Sequence, residues 1–215
     1  MKLRQFAMRY LFLPGVAILM IACGSGTQIT RIQAVSPAAD VPYKKILVVS
    51  LFEAFDTRVY LEKEIVKQLS ERGVEAFAST SMMNSKVPAT RQTFENMVDK
   101  VGADSVLVSH LVSLDSSAKV KDMRPESTYN IRPTYYVNVW SVELTEYVEP
   151  PSVALGAEVL LATQMYSVKA KDAVWSIESQ FKIQQNIEQL WDYKMFPEQA
   201  RSLVSQLAKD GLIAR

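Results

Sequence analysis

One cysteine, one histidine and only seven glycines in 215 residues close off several kinds of chemistry at the outset. A lone cysteine allows no disulfide within the chain, so oxidising surroundings leave the fold unchanged. With a single histidine besides, a zinc site of the usual Cys and His composition cannot be assembled. His110 is then the one imidazole available as base for a Ser-His-Asp arrangement. The glycines show neither Gly-x-Gly-x-x-Gly nor phosphate-loop spacing, so nucleotide binding has no motif behind it. An excess of positive charge is missing too: 24 Lys and Arg stand against 23 Asp and Glu. That balance argues against the electropositive face that nucleic-acid binding requires. No residue pattern asks for a cofactor or a metal.

What is present begins with an export signal. Lys2, Arg4 and Arg9 make a basic start with no acidic residue, and the apolar stretch from Leu11 to Ala22 is interrupted by Pro14-Gly15. A bilayer span wants roughly 20 apolar residues, so residues 1–22 read as a secretory signal peptide. The run closes on Leu19-Met20-Ile21-Ala22-Cys23, where small Ala22 precedes the only cysteine. This resembles the lipobox of bacterial lipoproteins, with Met20 where Leu is typical. The resemblance implies that the Cys23 thiol carries diacylglycerol, that cleavage falls before it, and that the new amino terminus takes a further acyl chain such as palmitate. Several chains on one residue hold a stable anchor where a single chain does not. Gly24 rather than Asp follows the cysteine, which by the same resemblance implies the outer membrane of a Gram-negative cell, facing the periplasm. Cleavage removes three basic residues, leaving 21 against 23 acidic ones and a net charge near −2.

Residues 23–42 lack helical or strand periodicity and contain Ser36-Pro37 and Val41-Pro42. They read as a flexible tether, and about 19 residues of coil reach roughly 25 Å. Residues 43–215 are left as one domain of about 170 residues, enough for a single core.

Within it, Ile46 to Leu51 is apolar on both alternating faces, the pattern of a strand covered on two sides. A helix capped by Asp56 is expected through Arg72, with Leu61, Ile65 and Leu69 inward and Gly73 as its stop. Val74 to Phe77 is a short strand. From about Thr90 a second helix buries Phe94, Met97, Val98 and Val101 before Gly102, and Asp104 to Leu114 is a third strand. Asp115 to Pro133 reads as a long loop or surface flap. Tyr135 to Thr145 is strand-like, and Glu158 to Ser167 with Ala173 to Ile183 forms a hairpin. Gln185 to Tyr193 suits a short helix, and a closing helix starts at Pro197 and stops at Gly211. The expectation is an α/β fold: helices packed on a mixed β-sheet, β-α-β-α-β followed by a strand-rich half with a hairpin and a C-terminal helix.

The cysteine and its tether, Lys45-Ile46-Leu47-Val48-Val49 leading to a helix, Gly102-Ala103-Asp104-Ser105-Val106-Leu107-Val108, a hairpin containing Ala173-Val174-Trp175-Ser176, and the closing helix together resemble periplasmic lipoproteins related to the curli-secretion lipoprotein and to the amino-terminal domain of the Tol translocation protein TolB. The resemblance spans most of Tyr43 to Leu212. It implies a domain used for assembly and protein contacts, with possible homo-oligomers. Curli-type relatives form pores through long amphipathic strands, and the chain shows no obvious hairpin of that kind.

Any ligand site is expected beyond the carboxyl ends of the parallel strands, where Glu53, Asp56 and Asp115 would approach one another. Each also has a structural role open to it: Asp56 as a helix cap, Glu53 as a solvated loop residue, Asp115 as a turn former. His110 shares a strand face with Val108 and Val112 and reads as a structural histidine, and Met82-Met83 as packing. Three functions follow. The first is a non-enzymatic, membrane-anchored interaction or assembly component of an envelope transport or secretion complex. The second is a binding module for a small envelope ligand such as a glycan or lipid. The third is a hydrolase using Asp115 or His110.

Overall fold

The computed structural model describes residues 27–36, 40–52, 54–84, 90–116, 157–183 and 195–215. Cys23, Glu53, the strand expected at 135–145 and the short helix expected at 185–193 lie outside them, as does the long loop beyond Ser116.

Six strands form one mixed sheet with three helices packed on it. In chain order they are β1 (Gln28–Ala34), β2 (Lys45–Leu51), α1 (Phe55–Ser70), β3 (Glu75–Ala78), α2 (Arg91–Val101), β4 (Ser105–Ser116), β5 (Ala157–Ser167), β6 (Asp172–Ile183) and α3 (Phe196–Lys209). The order across the sheet is β1-β6-β5-β4-β2-β3. β3, β2 and β4 are parallel, while β4, β5, β6 and β1 alternate in direction. This is the α/β architecture that the spacing of apolar residues predicts.

The doubly apolar pattern of β2 is used on both sides. Ile46 and Val48 join the core beneath α1 and α3, while Leu47, Val49 and Leu51 meet Phe94, Met97 and Val98 of α2. α2 begins where Thr90 accepts a hydrogen bond from the Thr93 amide, and ends at Gly102, whose φ of 65° is left-handed. A glycine takes that conformation without the steric penalty of a Cβ. α3 buries Ala200, Leu203, Val204, Leu207 and Ala208, as its 3.6-residue period requires. Among the described residues, no helix is long and apolar enough to cross a membrane.

Three expectations are corrected. The segment read as tether contains β1, paired antiparallel to β6 from Gln28 opposite Gln180 to Ala34 opposite Trp175. Beyond β1 the chain stays attached: Val35 N–H donates to Val174 O at 3.0 Å, and Lys169 Nζ meets Asp40 at 2.9 Å. Asp56 is not the cap of α1. Ala54 holds that position without a side-chain bond, and Asp56 sits in the first turn, where its charge suits the positive end of the helix dipole. Asp115 is not in a turn, because β4 continues to Ser116 with Asp115 opposite Glu158; an antiparallel partner extends the ladder past the point where the apolar pattern fades.

Candidate functional site

The parallel strands β2, β3 and β4 finish at one pole of the domain, where the ligand rule for such sheets directs attention. Of the three carboxylates expected there, Asp56 is exposed on the first turn of α1. Glu53 is outside the described residues, and Asp115 is placed by its backbone pairing alone. The expected approach of the three carboxylates thus rests on side chains that lie outside the described ones.

The structure puts a different carboxylate at that pole. α1 turns Thr57, Leu61, Glu62, Ile65 and Leu69 inward, and Glu62 has no exposed surface. Its Oε1 accepts from the Ser50 amide at the end of β2, at 2.8 Å, and from Ser79 Oγ at 2.9 Å. Its Oε2 accepts from the Thr80 amide and from Thr80 Oγ1, each at 2.8 Å. Burial pushes the carboxyl up to about 7, although the bonds from Thr80, Ser50 and Ser79 act in the opposite direction. A carboxyl poised near neutrality has the acidity wanted of a general acid or base. Here, however, both oxygens are occupied by protein donors. The arrangement ties α1 to the ends of β2 and β3.

A second carboxylate performs the corresponding task at the opposite pole. Asp104 accepts from the Lys44 amide at 2.8 Å, from the Lys45 amide at 3.2 Å and from Ser105 Oγ at 3.3 Å, holding the start of β2 against the start of β4. His110, opposite Leu51 and Ala162, is buried, and desolvation lowers its pKa to about 4. It is neutral near pH 7. Among the described residues, no three His, Cys, Asp or Glu side chains gather as a metal site would need.

Among the described residues, two concavities lie on the outer half of the sheet, and Asp56 lines neither. A cavity of ≈ 200 Å³ is bounded by Arg31, Gln33, Gln164, Ser176 and Glu178, with Ala162 and Ile177. Arg31 Nη1 and Glu178 Oε1 are 3.9 Å apart there, and Arg31 Nη2 donates to Gln33 Oε1 at 3.2 Å. An open groove of ≈ 610 Å³ runs between β1 and the end of α3, past Ile32, Ala34, Val174, Trp175 and Leu212. At its floor Trp175 Nε1 donates to Asp210 Oδ2 at 2.9 Å.

Sequence reasoning missed Glu62 and β1. The available signal for Glu62 was its place beside Leu61 on the inward stripe, where a charge interrupts an apolar face.

No family model matches the chain, and no curated protein matches it in sequence. Solved structures do. A PelC variant dodecamer from Paraburkholderia phytofirmans is 14% identical over 85% of this chain and 98% of its own, with a TM-score of 0.43. Another PelC dodecamer from the same organism is 11% identical over the same shares, with a TM-score of 0.41. Lipoprotein GNA1162 from Neisseria meningitidis is 15% identical over 77% of this chain and 99% of its own, with a TM-score of 0.38. At those scores the likeness is loose, and no residue role is carried across. Neither the curli-secretion lipoprotein nor TolB is among these three.

Proposed function

We propose that this chain is a lipoprotein anchored through Cys23 that works by protein contact, as an interaction or assembly component of a transport or secretion complex in the cell envelope. The observation that supports this most is β1. From Gln28, five residues after the lipobox-like cysteine, the chain is built into the sheet, so anchor and domain are separated by four residues alone. Such a domain is a fixture of the membrane surface, not a free-ranging catalyst. The saturation of Glu62 agrees with this reading: the buried carboxyl with the most suitable acidity presents no open oxygen to a substrate. Gly24 after the cysteine favours the outer membrane, facing the periplasm.

Fractionation of cells carrying the wild-type chain or Cys23→Ala tests the anchor, with membrane association expected for the first and lost in the second. Crosslinking of intact envelopes followed by pull-down tests the contact role. The expected result is recovery of the same protein partner, or of a second copy, in repeated experiments. Repeated recovery of neither would defeat it.

A second reading is favoured by one feature, the cavity of ≈ 200 Å³ whose apolar lining is punctuated by Arg31, Gln164, Ser176 and Glu178. Its amides, hydroxyl and offset charges suit a small neutral polar ligand such as a glycan unit. Titration with soluble glycan fragments, repeated on Arg31→Ala, separates this reading from the first.

A further inference from the structure

We infer that the pole of the domain at which β2, β4 and β6 end, and at which β1 begins, is the surface that lies against the lipid headgroups of the anchoring membrane. The inference rests on acylation of Cys23 and deepens that reading by specifying orientation. Gly24, Ser25, Gly26 and Thr27 alone separate Cys23 from Gln28. A chain spans at most roughly 3.6 Å per residue, so five steps keep the acylated residue within about 18 Å of Gln28 whatever path they take.

Gln28 itself cannot swing. It is opposite Gln180 of β6, which is opposite Leu160 of β5, which is opposite Ser113 near the end of β4. The pairing continues along β1 to Ala34, and the ion pair between Lys169 and Asp40 fastens the chain beyond it. The point of attachment is therefore fixed on the sheet. Had residues 23–42 all been coil, either pole could have met the membrane.

The other pole carries the β5–β6 turn around Ala170 and the end of α3 at Lys209. β4, with 12 residues, alone spans about 36 Å at the usual rise per residue. That is twice the reach of the leash. The exposed residues at the near pole include Gln28, Thr30, Ala54 and Asp56 together with Ile29, a mainly polar or small set that suits headgroups better than acyl chains. The open groove beside Trp175 and Asp210 belongs to the far half and is displayed away from the lipid.

The test uses the acylated full chain in vesicles of phosphatidylethanolamine and phosphatidylglycerol that contain a headgroup nitroxide lipid. Because Cys23 is the only cysteine, acylation leaves an introduced thiol as the single site for a fluorophore. Labels at Gln28→Cys and Ala54→Cys report the near pole, and labels at Ala170→Cys and Lys209→Cys the far one. All four positions are exposed, and circular dichroism confirms that each variant is folded. The expected result is loss of emission at both near labels and none at both far labels. Equal quenching at the two poles would mean that the domain lies on its β1 edge, and would overturn the assignment. Stronger quenching at the far pole, or none anywhere on vesicle-bound protein, would overturn it as well. Reaction of the unsubstituted chain with a maleimide separates the two failures. A reactive Cys23 removes the anchor and the orientation with it, whereas a blocked Cys23 with equal quenching removes the orientation alone.

Discussion

The two halves of the sheet are built on different terms. In the parallel half, β2 and β4 are covered on both faces while the edge strand β3 is half-buried, and β2 is apolar from Ile46 to Val49 with every side chain buried. In the antiparallel half, the face toward α3 carries Val159, Leu161, Met165, Trp175, Ile177 and Phe181. Its reverse carries Gln164, Ser176, Glu178, Arg31 and Gln33 around the small cavity. Parallel strands connected by helices need cover on both sides, whereas antiparallel strands tolerate one wetter face. Dry packing is therefore concentrated in the first half and polar surface in the second. The carboxylates follow the same division: buried Glu62 and half-buried Asp104 tie the parallel strands at opposite ends, while Glu178 faces an exposed arginine.

The sharpest way to break that contrast is to remove a charge from each half. Glu62→Ala leaves the Ser50 and Thr80 amides without their acceptor in a dry site, and each such orphan costs about 1–3 kcal/mol. The expected loss is about 3–5 kcal/mol with the α1 connection loosened, read from denaturant midpoints at about pH 6. Glu178→Ala removes a long, partly solvated ion pair and should cost less than about 1 kcal/mol. Equal losses in the two variants would erase the distinction.

The same residue makes the parallel half pH-sensitive. The folded-state pKa of Glu62 is raised, to about 7 from 4.5, by burial, and the groups bonded to it, Ser50, Ser79 and Thr80, do not titrate in this range. A raised carboxyl pKa contributes stability that is fully present below the unfolded value and is lost as pH rises through the folded one. Wild-type stability should thus fall between about pH 4.5 and pH 7, by an amount on the order of 3 kcal/mol from this group. Glu62→Gln, which cannot ionise, should show a flatter profile by chemical denaturation. A decline just as steep in Glu62→Gln would assign the pH dependence elsewhere.

A smaller effect tests a feature that could be read directly from the residues. Thr90 accepts from the Thr93 amide at the start of α2, and Thr90→Ala should cost about 1 kcal/mol. Far-ultraviolet dichroism during thermal unfolding measures it.

Thr90, Gly73, Gly102, the doubly buried β2 and the stripe of α3 were legible because each is a local rule stated in one short stretch. β1 was not, and its bulge explains why. The register shifts between Ile29 and Arg31, so Ile29 and Ile32 sit three apart instead of two and the alternation that identifies a strand is broken. An edge strand also has only one neighbour to pattern against, and Ile29 and Ile32 remain 37% and 45% exposed. Glu62 was hidden for the opposite reason. Its surroundings come from Ser50, Ser79 and Thr80, which the fold brings to it from two other elements, and no spacing within α1 announces them.

The mildest prediction sharpens the comparison from the outer side. Arg31 is exposed, its Nη1 lies 3.9 Å from Glu178 Oε1, and its Nη2 donates to Gln33 on the same strand. Exposed pairs of this kind are worth little to stability, so Arg31→Ala should shift the unfolding free energy by less than about 0.5 kcal/mol. A near-silent result in thermal unfolding, combined with weakened capture of a ligand or partner, would show that the polar face of the antiparallel half serves contact. A loss as large as that of Glu62→Ala would instead make Arg31 a structural member of the sheet, and the division between a dry, tied half and a polar, solvated half would no longer hold.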